Sequence, residues 1–142
     1  MYKEILLPID LNNAAAQEKA VKTAVRCAKA FGSRLHVMNI VPDFGVGTVT
    51  TYFPPDFEKK ALENADAALH AFVKQHIPKE IKVQHIVAHG SIYDEILNFA
   101  RKTKVDLIVM ASHRPELSDY LIGPNASRVT RHANCSVLVV RD

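Results

Sequence analysis

The sequence predicts an α/β fold: a parallel sheet covered by helices on both faces. Three observations predict it. Short, continuous apolar runs recur along the chain, as strands buried on both faces require. Between them lie longer stretches whose apolar residues step by three and four, the spacing of one helical face. The two kinds alternate, and helical crossovers between successive strands make the sheet parallel.

Ile5-Leu6-Leu7-Pro8-Ile9 is the first apolar run, ending at Asp10. Pro8 cannot donate a ladder hydrogen bond, so it belongs near the strand's end. From Ala14 to Phe31 the apolar positions Ala20, Val21, Ala24, Val25, Ala28 and Phe31 mark one helical face, and Gly32 follows as a C-terminal cap. Leu35 to Val41 is a second strand, closed by Pro42. Residues 43–55 carry Gly45, Gly47, Pro54 and Pro55 and read as a long surface loop.

Asp56 is placed to cap a helix running from about Phe57 to Ile77, with Pro78 as its stop. Ile81, Val83, His85 and Val87 then form an alternating edge strand with one wetter face, broken at Gly90. Ser91-Ile92-Tyr93-Asp94 resembles a capping box opening a third helix, which carries Ile92, Ile96, Leu97, Phe99 and Ala100. Leu107 to Met110 is a continuous apolar strand. After a loop, a short helix from Asn125 to His132 leads to the last strand, Val137 to Val140.

With 142 residues the chain is the size of one domain, 1–142, at about 100–200 residues per domain. Hydrophobic residues make up 48% and charged residues 23%, the mix of an ordinary globule. Eighteen Lys and Arg against fifteen Asp and Glu leave a formal charge of +3 with no run of like charges. That argues against a dedicated nucleic-acid binder. No apolar run is long enough to span a membrane. Cys27 and Cys135 have neither metal-site nor redox-pair spacing. The chain enters its first strand directly from Met1-Tyr2-Lys3-Glu4, without a signal-peptide pattern, so a cytoplasmic location is expected.

Ligands of such folds bind beyond the carboxyl ends of the strands, where the strand order reverses. The ends of the first and fourth strands, Pro8-Ile9-Asp10 and Met110-Ala111-Ser112-His113, are the candidates. The Walker pattern is absent, and Gly45-Val46-Gly47 is followed by Thr at position 50, not glycine. A phospho-receiver would need a second acidic residue after the first strand. The stretch from Met110 to Ser127 is richer. Gly123-Pro124-Asn125 opens a helix whose start favours an anion, and His113 and Arg114 add donors. Taken alone, this stretch fits a phosphate site or a loop with a capped helix. His85 and His89 share a strand face but lie about 13 Å apart, too far to hold one ion, and read as solvated edge residues. His36, His70, His76 and His132 show no ligand-like grouping.

These pieces together resemble the universal stress proteins, end to end over residues 3–141. Matching segments are Ile-Leu-Leu-Pro-Ile-Asp at 5–10, Asn39-Ile40-Val41-Pro42 and Gly90-Ser91. Met-Ala-Ser-His-Arg-Pro at 110–115, Gly-Pro-Asn-Ala at 123–126 and Arg-His-Ala-Asn-Cys-Ser-Val-Leu-Val-Val-Arg at 131–141 are more specific and resemble the small bacterial F/G-type branch. The resemblance implies a Rossmann-like five-stranded parallel sheet of order 3-2-1-4-5. It also implies a homodimer through Val137, Leu138, Val139 and Val140, and an adenine nucleotide, ATP first, with Mg²⁺ as its possible companion. The nucleotide-binding set implied is Pro8, Asp10, Ile40, Met110, Ala111, Ser112, His113, Arg114, Gly123, Pro124 and Asn125. Asp10 would meet ribose or metal, and the backbone at Ile40 would meet adenine.

The family's phosphate loop, G-x2-G-x9-G-[ST], is altered here. Ala111 and Arg114 replace the first two glycines, Gly123 remains after eight intervening residues where the pattern has nine, and Pro124 stands where a hydroxyl would be. Arg114 could supply a charge-assisted contact in place of the lost backbone donors. A stress or interaction module without nucleotide is the second reading, and slow ATP hydrolysis a third. A nucleotidyl transferase would need an H-x-G-H signature that is missing.

Overall fold

The computed structural model describes residues 1–41, 56–112 and 124–141. Its strands are β1 (Glu4–Ile9), β2 (Arg34–Val41), β3 (Val83–His89), β4 (Leu107–Ala111) and β5 (Ser136–Val140). Its helices are α1 (Glu18–Phe31), α2 (Phe57–His76), α3 (Ile92–Lys102) and α4 (Pro124–His132). The strands form a five-stranded sheet of order β3-β2-β1-β4-β5, all parallel, as expected.

Strand alternation sorts the core into two layers. Ile5, Leu7 and Ile9 of β1 pack with Ala20, Val21, Ala24 and Ala28 of α1 and Leu69, Phe72 and Val73 of α2. Leu6 points the other way, with Ile108 and Met110 of β4, Ile96, Leu97 and Ala100 of α3, and Ala126 and Val129 of α4. Both faces of β1 are therefore covered, which explains its unbroken apolar run. Gly32 ends α1 at φ 66°, the left-handed conformation that glycine adopts without a Cβ penalty.

Several local expectations change. The helix expected from Ala14 starts at Glu18, because Leu11–Gln17 winds as a 3-10 turn kinked at Asn13 (φ −140°, ψ 48°). Asp56 precedes α2 but makes no capping bond: its ψ of 7° is not the extended conformation a cap needs, and its carboxylate pairs with Lys60 at 3.1 Å. Ser91 has extended backbone, yet its hydroxyl caps nothing; this helix start is exposed, where water can meet the N–H groups. β3 begins at Val83, leaving Ile81 buried just before it. Its two faces are both apolar, with Val83 and Val87 in one layer and Ile86 and Ala88 in the other, so no single face is the wet one.

The edge histidines are not simply solvated. His85 and His89 are both half-buried against α2. The His85 ring stacks on His70 with centroids 3.8 Å apart, and His89 Nδ1 lies 3.2 Å from Glu58 Oε1. Burial first, and the nearby His70 second, hold the His85 pKa below the ordinary value of 6.5, while Asp66 pulls it back. A lowered folded-state pKa means the unfolded chain binds more protons, so stability is complete above the ordinary value and is lost as pH falls through the folded one. Urea unfolding should therefore give a lower stability at about pH 5.5 than at about pH 7.5, and His85→Gln should flatten that slope. An unchanged slope in the variant would show that the stacked pair does not carry it.

Candidate functional site

The site begins with how β1 ends. The carbonyl of Lys3, just before β1, accepts from Arg34 N–H (2.9 Å) on the β2 side, while that of Glu4 accepts from Asp106 N–H (3.0 Å) on the β4 side. Backbone groups alternate along a parallel strand, so Leu6 and Pro8 also face β4. Pro8 has no N–H to give. The ladder toward β4 lacks a rung at that point.

The registers follow this loss. β1 pairs with β2 over all six residues, from Glu4–Arg34 to Ile9–Asn39. With β4 it pairs at two positions, Ile5–Leu107 and Leu6–Ile108. β4 instead stays with β5 through Ala111–Val140, and Ser112 N–H extends the pairing to Val140 O at 2.9 Å. β1 thus follows β2 while β4 follows β5. Pairing stops between the two central strands at their carboxyl ends, where the strand order reverses. A proline in a central strand is otherwise unfavourable; here it sits where the sheet divides.

Each side of the division carries a polar group. On the β1 side, exposed Asp10 accepts Asn12 N–H at Oδ1 (3.0 Å) and so caps the 3-10 turn. Gln17 clamps the same turn: its Oε1 accepts Asp10 N–H (2.8 Å), and its Nε2 donates to the carbonyls of Asp10 (3.0 Å) and Asn13 (3.1 Å). The carboxylate is held on a fixed turn. On the β4 side, Ser112 is 9% exposed and its buried Oγ has no hydrogen-bond partner among the described residues. A buried hydroxyl without a partner carries a desolvation cost of about 1–3 kcal/mol, which a ligand oxygen would relieve.

The other expected residues are placed as follows. Pro8 is half-buried in β1, Ile40 half-buried near the end of β2, and Met110 buried beside half-buried Ala111 at the end of β4. Exposed Pro124 is the first residue of α4, and half-buried Asn125 follows it. His113, Arg114, Gly123 and the loop 43–55 lie outside the described residues. Gln17 was not anticipated; its reach depends on the 3-10 turn, which leaves no periodic trace in sequence. His36, expected to be ungrouped, is 1% exposed and bridges Gln84 Oε1 (2.6 Å) and Glu4 Oε2 (2.9 Å) across three strands, under the Phe99 ring. It lies at the amino half of the sheet and serves the fold.

A parallel sheet that divides between its first and fourth strands is common to many nucleotide folds, so relatives decide the family. The model of the universal stress protein family matches residues 1–141. This chain belongs to the universal stress protein family. Universal stress protein G of Shigella flexneri is 33% identical over 145 aligned residues, covering 99% of this chain and 100% of the relative. The universal stress protein UspA of Lactobacillus plantarum superposes with a TM-score of 0.70 at 26% identity, covering 99% and 98% of the two chains. Two further universal stress proteins share the fold and were solved with adenine nucleotides. One holds cAMP (21% identity, TM-score 0.60, covering 99% and 97%). The other, from Archaeoglobus fulgidus, holds dAMP (20%, TM-score 0.63, covering 97% of each). Among the described residues, no helix is long and apolar enough to cross a membrane.

Proposed function

We propose that this universal stress protein binds an adenine nucleotide, ATP first, in the division between β1 and β4, and that the bound state regulates its contacts with a second copy or a partner. The observation that carries the reading is the loss of β1–β4 pairing at Pro8, with Asp10 fixed on one side and, on the other, the buried Ser112 hydroxyl, which has no partner among the described residues. The relatives solved with cAMP and dAMP support the ligand class. The residues fit such a ligand. Ser112 Oγ can donate to a phosphate or ribose oxygen, and Asp10 can accept ribose hydroxyls or hold Mg²⁺ brought by the nucleotide. Met110, Ala111 and the backbone at Ile40 would wall the base and sugar. His113, Arg114, Gly123, Pro124 and Asn125 would complete the phosphate end, with Arg114 supplying charge. Binding, not turnover, is the proposed activity of this single cytoplasmic domain.

The second copy would pair along β5. Among the described residues β5 is the last strand of the sheet, and Leu138 on it is 38% exposed. A two-fold pairing of these strands would extend the sheet and cover that leucine.

Calorimetric titration of ATP into the purified protein tests the binding. Heat and a rise in Tm are expected. Asp10→Asn keeps a competent cap, and Ser112→Ala removes a hydroxyl that has no partner among the described residues, so both variants should fold. Each should weaken the nucleotide by about tenfold, the worth of one charge-assisted hydrogen bond. No heat at millimolar ATP would favour the nucleotide-free reading, to which Pro124, without an N–H at the start of α4, already points.

A further inference from the structure

A cleft of about 220 Å³ lies where the chain enters β4 and β5. β4 separates it from the strand tips by about 13 Å, at some 3.3 Å per residue. α3 and α4 both end there. Arg101, Lys104 and His132 line it, with Ala100, Val105 and Cys135 beneath. Among the described residues, Lys104 and His132 make no ion pair, and Arg101 Nη2 donates to Asn98 Oδ1 at 2.6 Å.

Cations near helix C-termini are favoured by the helix dipole, and Arg101 and Lys102 already satisfy that in the last turn of α3. Lys104 needs another reason. It has a φ of 55°, a left-handed conformation that side chains with a Cβ adopt at a cost. α1 and α3 end in the same way. Ser33 N–H reaches back to Ala28 O (3.0 Å), and Val105 N–H to Ala100 O (3.1 Å). In α1 the left-handed residue is Gly32; in α3 it is Lys104. The chain carries a lysine at a position where glycine holds the same turn without strain. That strained residue is one of the two cations, Arg101 and Lys104, that line the cleft beside His132.

We propose that this cleft is a second ligand site, for a small organic phosphate. Its phosphoryl group would sit among Arg101, Lys104 and His132, and its apolar part would rest on Ala100 and Val105. The volume is below that of drug-sized sites, about 300–1,000 Å³, so the ligand is a compact one.

The test is an amide-shift titration of the isotope-labelled protein with phenyl phosphate and, separately, inorganic phosphate. Phenyl phosphate is expected to shift Arg101, Lys104, His132 and Cys135, and to bind at least about fivefold more tightly than phosphate. Lys104→Gly should raise Tm by about 3 °C through relief of strain, yet weaken phenyl phosphate by about tenfold. Absence of shifts at the cleft at tens of millimolar would overturn the site. So would a Lys104→Gly variant of unchanged affinity. Equal affinities for the two probes would overturn the organic-phosphate assignment. Because the shifts report position, nucleotide binding at the strand tips does not interfere with this reading.

Discussion

Truncation of Ile108 to alanine is expected to destabilise the protein by about 2–5 kcal/mol, a large part of the about 5–15 kcal/mol that holds a domain folded. Ile108 is fully buried in β4. It is registered between Leu6 of β1 and Val137 of β5, and shares its layer with Ile96 and Leu97 of α3 and Val129 of α4. Two strands and two helices fix these neighbours, so the space left by the side chain cannot collapse, and the cavity cost adds to the lost burial. Urea unfolding measures it, with Ile92→Ala, at a side chain 41% exposed, as a control expected to change stability by less than about 1 kcal/mol. Equal effects of the two substitutions would contradict the layer assignment.

Replacing Leu138 with arginine is expected to dissociate the proposed dimer, weakening it by at least about 100-fold. Burying one leucine contributes about 1.5–3 kcal/mol, and two-fold symmetry counts it twice. The variant also places a cation on each side of the pairing strands, a device that natural edge strands use to stay apart. Since Leu138 is already 38% exposed in the single chain, the variant should keep its fold by circular dichroism. Sedimentation velocity reads the outcome. A monomeric wild type, or a variant that still dimerises, would contradict the β5 interface.

Much of the architecture was legible in sequence because burial on both faces leaves a direct mark. The runs Ile5–Ile9 and Leu107–Met110 fit covered strands, and the steps from Ala20 to Ala28 fit one helix face. Caps were less legible. Asp56 and Ser91 are the right residue types, but a cap depends on local backbone angles and on competing partners such as Lys60. The site was legible in part. Asp10 and Ser112 were expected at the strand tips. Pro8 marked the end of β1, but its meaning rests on which neighbour it faces, and that needs the register. The His85–His70 stack joins a strand to a helix, and the Gln17 clamp depends on the 3-10 turn, so no sequence pattern announces them.

The nucleotide is proposed to enter between β1 and β4. Amide shifts of the labelled protein on titration with ATP locate it directly. The largest shifts are expected at Ile9, Asp10, Ile40, Ala111 and Ser112, saturating together, with β3 and the amino ends of the strands unmoved. Saturable shifts confined to other parts of the molecule, with these five residues still, would contradict it.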